Sequence, residues 1–537
     1  MDSRIAAHGA PVEEDRVTLR RVGGRPHPCD PWTGLVPSVA DGLFPGGRDA
    51  SLPVLRRRLD KLGSWKRGVG WTPEEGAALK RRVHATQGMA AANATEQILS
   101  GAPVVLTGQQ PVLGGGPLFV WLKAHSAIRH ADRMSQLLGI SVRPVFWIAG
   151  DDSDLPEVRY LTDPVLGRTW DGFPGREAGP RPVGALPLGD PEGLAEGLLE
   201  AWPSSLLPSL MGRSTDLSGL FLACLRHWFG DRLVVVDAAW PELRTLARRT
   251  YVVFADRTEA VHEAVAAGIG AARSAGLPAS LGTASGRSRL FHWDQTGRHR
   301  VAVRDGTATD GRSWSVPSSR FPSDVERDPA GFSHDAGSRP FCAEEIFPVL
   351  AHVLGPGEFA YFACLGELGR NLSRPLAPAL PRASATVLPA GPWADARSGG
   401  WDPCQGSAPW GTVEDVFQRH LVPEASVWSR RWADARADYL DELGWKAEDA
   451  ARADLDRHLS WREASALRER IREAARPQAD RISRLRDFWA LAGAGGVQER
   501  ILSPWSLEHH LGQPELLARL GEMVDPDEPT HLVWEAK

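Results

Sequence analysis

Two short apolar runs joined by one long amphipathic stretch set the strongest limit on what this chain can fold into. The first, APVVLTGQQ at 102–110, is β-branched and stops at glycine and glutamine. Beyond it, PVLGGGPLFVWLKAHSAIRHADRMSQLLG reads as a glycine loop feeding a helix, and SVRPVFWIAGDDSD supplies a second buried strand ending in acidic residues. Parallel strands cannot be joined by a tight turn, so residues 103–154 form a βαβ unit with the helix as its crossover. Leu233–Val236 repeats the theme, with an acidic residue after the strand and long helices beyond it. The predicted class is α/β, with a parallel sheet at its centre.

A chain of 537 residues has room for more than that sheet. Residues 1–102, rich in proline and glycine and then helical in pattern, are expected to form a helical preface packed on the core. The core spans 103–410, with insertions near 164–212 and 281–340 where the rhythm is lost, and a linker-like stretch from Ala390 to Gly411. From Val413 onward, Leu421, Trp428, Trp432, Tyr439 and Leu443 recur at alternating spacings of seven and four. Gly444 can end that helix, and Leu455, Leu459, Leu467, Ile471, Ile482, Leu485 and Trp489 continue the pattern in a second one that Pro477 divides. Residues 411–492 therefore read as an antiparallel α-helical coiled-coil arm, although two ordinary packed helices would show the same spacing. Residues 493–537 are expected to be a C-terminal helical segment.

Charge and cysteine content exclude several functions. The 62 basic and 67 acidic side chains leave a net charge of -5, with no basic run to neutralise a phosphate backbone, so nucleic acid is not an expected partner. The five cysteines lie far apart, without zinc-finger or disulfide-framework spacing. No segment approaches the roughly 18 apolar residues that span a bilayer, and the first residues lack the apolar core of a signal peptide. The expected setting is the cytoplasm, away from membranes.

Chemistry is concentrated in three places. In Thr107-Gly108-Gln109-Gln110 and Gly114-Gly115-Gly116-Pro117, glycines permit close backbone approach and the helix start favours an anion. Lys123, the sole lysine between Lys80 and Lys446, lies about two turns into that helix. The second strand ends in Asp151-Asp152-Ser153-Asp154, where carboxylates suit an amine or Mg²⁺, or else a solvated helix cap. The third place gathers Arg339, then Gly357, Glu358 and Tyr361, then Arg382. These suit a ligand carboxylate and amine, or simply one another. There is no P-loop, HExxH, GxSxG or complete GxGxxG motif.

Taken together, VLTGQQ-x5-GPL at 105–118, Lys123, PVFWIAGDDSD at 144–154, GPGEFAY at 355–361 and PRASAT at 381–386 resemble the bacillithiol biosynthesis cysteine-adding enzyme family. QERILSP at 498–504 and DPDEPTHLV at 525–533 match its C-terminal pattern. The resemblance implies a Rossmann-like, nucleotidyltransferase-type core with connecting-peptide insertions and a coiled-coil arm that makes a homodimer through residues 413–492. It also implies a ligase that joins L-cysteine to the amine of glucosaminyl malate. A carboxylate must be activated before it acylates an amine, so ATP and Mg²⁺ are expected cofactors. On that reading the Thr107–Pro117 loop and Lys123 attend the activated carboxyl group, Asp151, Asp152 and Asp154 attend the amine, and Arg339, Glu358 and Arg382 hold the malyl carboxylates or sugar hydroxyls. One departure is Ser153, where the family usually has histidine. A nucleotidyltransferase or amide ligase for another small molecule, or a non-catalytic dimeric pathway-binding protein, fits the residues alone equally well.

Overall fold

The structure, a computed structural model, describes residues 19–389 apart from 27–28, 64, 66–69, 164–165, 167 and 178, together with 502–511, 516–527 and 530–536. The expected arm at 411–492 and the linker before it lie outside the described residues.

At the centre is a five-stranded parallel sheet built from β1 (Val104–Gln109), β2 (Arg143–Ile148), β3 (Val234–Asp237), β4 (Val349–Leu354) and β5 (Ala379–Pro381), in the order β5-β4-β1-β2-β3. Side chains alternate across its two faces, so Val145 and Trp147 enter one apolar cluster while Phe146 and Ile148 enter another. All six residues of β4 are buried, as a strand covered on both faces requires. The sequence order runs outward from β1 to β3 and then returns to β1's other side at β4. That reversal opens a crevice beyond the carboxyl ends of β1 and β4, the place where open α/β sheets bind ligands.

The crossover helix α2 (Leu118–Leu138) follows a preface helix, α1 (Pro73–Gln87), which begins at a capping box in which Thr72 and Glu75 bond each other's backbone N–H groups. The last residue of α1 completes the sheet. β3 is an edge strand, and the Gln87 side chain covers its open side by donating to Val235 O at 2.6 Å and accepting from Val235 N at 2.9 Å.

The preface and the C-terminal segment are not wholly helical. Leu19–Pro26 is a strand antiparallel to Thr530–Ala536, which in turn runs parallel to Ala385–Pro389. This sheet unites segments from both ends of the chain, and no local pattern announces such pairing. The stretch near 281–340 is likewise a sheet: five antiparallel strands in the order Ser315–Pro317, Thr307–Thr309, Gly297–Arg304, Arg287–Asp294 and Phe332–His334. Cys29, Cys224, Cys342 and Cys364 are buried. No helix among the described residues is long and apolar enough to cross a membrane.

Replacing Gln87 with leucine puts an apolar side chain of similar bulk in its place and strands both backbone groups of Val235. A loss of about 2–4 kcal/mol is expected, read as a lower urea midpoint at unchanged slope. An unchanged midpoint would show that the edge is covered by other means.

Candidate functional site

Because all five strands point the same way, residues far apart in sequence meet at one rim of the sheet. Lys123 rises from α2 and is buried, 3 % exposed. Its ammonium lies 2.6 Å from Glu358 Oε2, donates to Gly108 O at 3.0 Å and donates to Gln109 Oε1 at 2.9 Å. Three donors thus meet three acceptors. Burial lowers the lysine pKa, and the adjoining Glu358 carboxylate opposes that shift. Glu358 lies in α6 (Pro356–Phe362), where the same Oε2 accepts the Gly355 N–H at 2.8 Å. Lys123 therefore joins the ends of β1 and β4 across the crevice.

Other cations surround this pair. A methyl group placed on Gly355 would meet Arg382 Nε at 3.4 Å and Lys123 Cε at 3.5 Å, so both side chains border that glycine. Arg382 follows β5 directly, and its guanidinium lies over the Phe119 ring at 5.6 Å. Arg339 opens α5 (Arg339–Ile346) and donates to the Tyr361 hydroxyl. The crevice between them is lined by Thr107, Gly108, Trp147, Arg339, Glu358 and Tyr361 and holds about 30 Å³, room for little more than a water molecule. A substrate has to displace its walls to enter.

The acidic loop lies beyond β2. Asp151 is 2 % exposed, and Arg298 from the antiparallel sheet fastens its loop by donating to Asp151 O at 2.9 Å, with Asp151 Oδ2 3.5 Å from Arg298 Nη2. His334 Nδ1 is 3.9 Å from the same oxygen. Burial alone would raise the Asp151 pKa, but the guanidinium charges of Arg298, Arg244 and Arg339 outweigh it and hold the carboxyl below its ordinary range. Burial pushes His334 down to about 4, so an uncharged imidazole stands beside Asp151 although position 153 is serine. Asp152 is half-buried and accepts Gln110 Nε2 at 2.9 Å. The adjacent glutamines thus divide their work, Gln109 serving Lys123 and Gln110 serving Asp152.

Several residues singled out from the sequence lie elsewhere. Thr107 is structural here, donating to Val353 O at 2.9 Å and bracing β1 against β4. Asp154 is exposed at the start of a short helix, α3 (Leu155–Val158), without capping it, and Gly357 is exposed. The glycine turn is not an open anion cradle. Gly114, Gly115 and Gly116 all have positive φ and are buried, and a methyl on Gly115 would fall 2.5 Å from the Trp228 ring. Trp505 Nε1 donates to Gly114 O at 2.7 Å, and Leu118 N donates to Leu502 O at 2.7 Å, beside Pro117. Close packing is what these glycines make possible.

Arg298 and His334 carry no sequence signal that points to this rim. Asp237 had one, as an acidic residue ending a strand. It is 3 % exposed, accepts Ala239 N at 2.8 Å and is pushed by burial up to about 6.

A family model described as "Bacillithiol biosynthesis BshC, N-terminal Rossmann-like domain" matches residues 77–383. Among curated relatives, the "Putative cysteine ligase BshC" of Halalkalibacterium halodurans is 29% identical over 304 residues, covering 53% of this chain and 55% of that protein. The protein of the same name from Shouchella clausii is 26% identical over 473 residues, covering 81% and 84% respectively. The one from Desulforamulus reducens is 28% identical over 305 residues, covering 53% and 55%. Two of these three alignments therefore span only about half of the relative's length.

The Asp237 carboxyl yields a stability test. Its folded pKa lies above the unfolded value, so the folded state binds the extra proton and stability falls as pH rises from 3.8 to about 6. Asp237→Asn, which keeps an oxygen for Ala239 N–H, removes that loss. The variant is expected to gain roughly 2–3 kcal/mol on the wild type between about pH 4 and about pH 8. A stability difference that does not vary with pH would refute the shift.

Proposed function

The chain belongs to the bacillithiol biosynthesis BshC family, and from that premise we propose that it is a ligase joining the carboxyl group of L-cysteine to the amine of glucosaminyl malate. One observation of charge arrangement carries this reading. Lys123, Arg339 and Arg382 surround the single carboxylate of Glu358 at the strand-order reversal, while Asp151 and Asp152 stand at the end of the neighbouring strand, with Arg339 in electrostatic range of both groups. Amide formation needs such a division: cationic groups to hold carboxylates, and a carboxylate to receive the proton that the attacking amine gives up.

In this reading Arg339 and Arg382, with the Lys123–Glu358 pair behind them, hold the malyl carboxylates. Asp152, which is half-buried and keeps one oxygen oriented by Gln110, takes the proton from the amine. Asp151, kept ionised by Arg298, is left to the ammonium of the cysteine. Closure of the crevice around the substrates excludes water, which would otherwise compete with the amine for the cysteine carboxyl group once a separate energy donor has activated it; the activating group leaves as the amide bond forms.

The glycine turn does not fit the phosphate cradle expected from the sequence. Trp228 fills the glycine turn, Leu502 O takes an N–H at the start of α2, and no three His, Cys, Asp or Glu side chains converge as metal ligands among the described residues. No step is therefore routed through nucleotide or metal.

The test is mass spectrometry of purified protein with L-cysteine, glucosaminyl malate, ATP and Mg²⁺, each omitted in turn. A cysteinyl amide that requires the protein is expected, and the omissions identify the energy source. Absence of product while the Shouchella clausii relative makes it under the same conditions would overturn the proposal. Asp152→Asn should lower turnover about 10²-fold or more with little change in substrate KM, the pattern of a lost proton acceptor.

A further inference from the structure

α4 (Pro241–Leu246), just beyond β3, carries an arginine that neither the crevice nor the proposed reaction has used. Arg244 is 7 % exposed, and its Nε and Nη1 are fully buried without a hydrogen-bond partner. Its guanidinium lies over the Trp293 ring at 3.8 Å, a contact that favours the charge but offers no lone pair to the N–H groups. Buried donors left unmet are costly, and native structures usually meet them with water or a ligand.

Trp293 stands directly opposite Arg298 in the antiparallel ladder, so the two side chains share one face. Arg298 in turn fastens the Asp151 loop. Arg244 and Asp151 therefore flank the same cross-strand pair. Asp151 Oδ2 is also buried without a hydrogen-bond partner, the Arg298 guanidinium 3.5 Å away and the His334 imidazole 3.9 Å away. An unmet donor group and an unmet acceptor group thus lie together at the rim formed by β2 and β3.

We propose that Arg244 and Asp151 form the two poles of a subsite for an α-amino acid, Arg244 taking its carboxylate and Asp151 its ammonium. A simple anion is disfavoured because the ionised Asp151 repels it, and a simple amine because Arg244 does. Only a zwitterion satisfies both. Naming the ligand as L-cysteine rests on the proposed ligase function; the zwitterion chemistry does not. The assignment also separates the substrates, with the amino acid beyond β2 and β3 and the malyl carboxylates at the Lys123, Arg339 and Arg382 end.

Titration calorimetry on the full chain under reducing conditions tests this, using L-cysteine, cysteamine, which lacks the carboxylate, and 3-mercaptopropionate, which lacks the amine. L-cysteine should bind roughly tenfold or more tightly than either analogue. Arg244→Gln, shown to be folded by circular dichroism, should lose about tenfold or more for L-cysteine and leave cysteamine unchanged, with Arg244→Lys restoring part of the loss. If Arg244→Gln does not fold, Asp151→Asn is read instead and should stop distinguishing L-cysteine from 3-mercaptopropionate. The subsite is overturned if the wild type does not bind L-cysteine, if it binds an analogue as tightly, or if the folded variant binds L-cysteine like the wild type. Product formed by Arg244→Gln at unchanged cysteine KM would sink the subsite and leave the ligase; amino-acid binding lost in the variant, with no amide made by the wild type, would sink the ligase and leave the subsite.

Discussion

A lysine ammonium buried where the strand order reverses must find an acceptor for every N–H, and the crevice is arranged around that need. Its acceptors come from the last two residues of β1 and the first turn of α6, which follows β4. Each is fixed in turn: Gly108 lies so close to β2 that a methyl there would fall 2.5 Å from Trp147 O, and Glu358 is bonded to Gly355 N. Removing one partner would leave a buried charge uncompensated, a far larger loss than that of a surface ion pair. The pair therefore ties the segments that leave β1 and β4 to each other and sets the charge of the crevice between them.

Much of this was legible because it is local. The 103–154 βαβ unit, the acid closing β3 and the placing of Lys123 on the crossover helix all follow from short-range patterns, and the parallel sheet then brings Glu358 and Arg382 to the same rim. Arg298 and His334 were not legible. They reach the rim from a sheet whose strands at 287–334 are short, partly exposed and rich in charged residues, so no periodic face marks them. The strands at 19–26 and 530–536 were missed for a related reason: each depends on a partner hundreds of residues away, and LRRVGGRP and THLVWEA show no strict two-residue alternation that would mark a strand.

The glycine turn was legible as a turn and misread as a site. Three consecutive positive φ angles do demand glycine, but the same absence of side chains that lets a phosphate approach also lets an indole approach. Trp228 and Trp505 take that space, and the C-terminal segment supplies the carbonyl that accepts Leu118 N–H. A helix start is attractive to an anion only while its N–H groups are unoccupied. Here the chain's own backbone holds one of those positions, which moves the recognition of charge away from the start of α2 and onto side chains.

Side chains recognise charge differently from a backbone cradle. A cradle of N–H groups presents partial positive charge alone and suits phosphate. The rim of this sheet changes sign from one side to the other: cations beyond β4 and β5, carboxylates beyond β2 and β3, and Arg298 and Arg244 between and behind the latter. Such a field has no preference for a polyanion as a whole. It favours molecules that carry both signs at fixed separation, and both an amino acid and an amine bearing carboxylates are of that kind. The distribution of charge along the rim, more than any one residue, is why a reaction between two such molecules fits this fold.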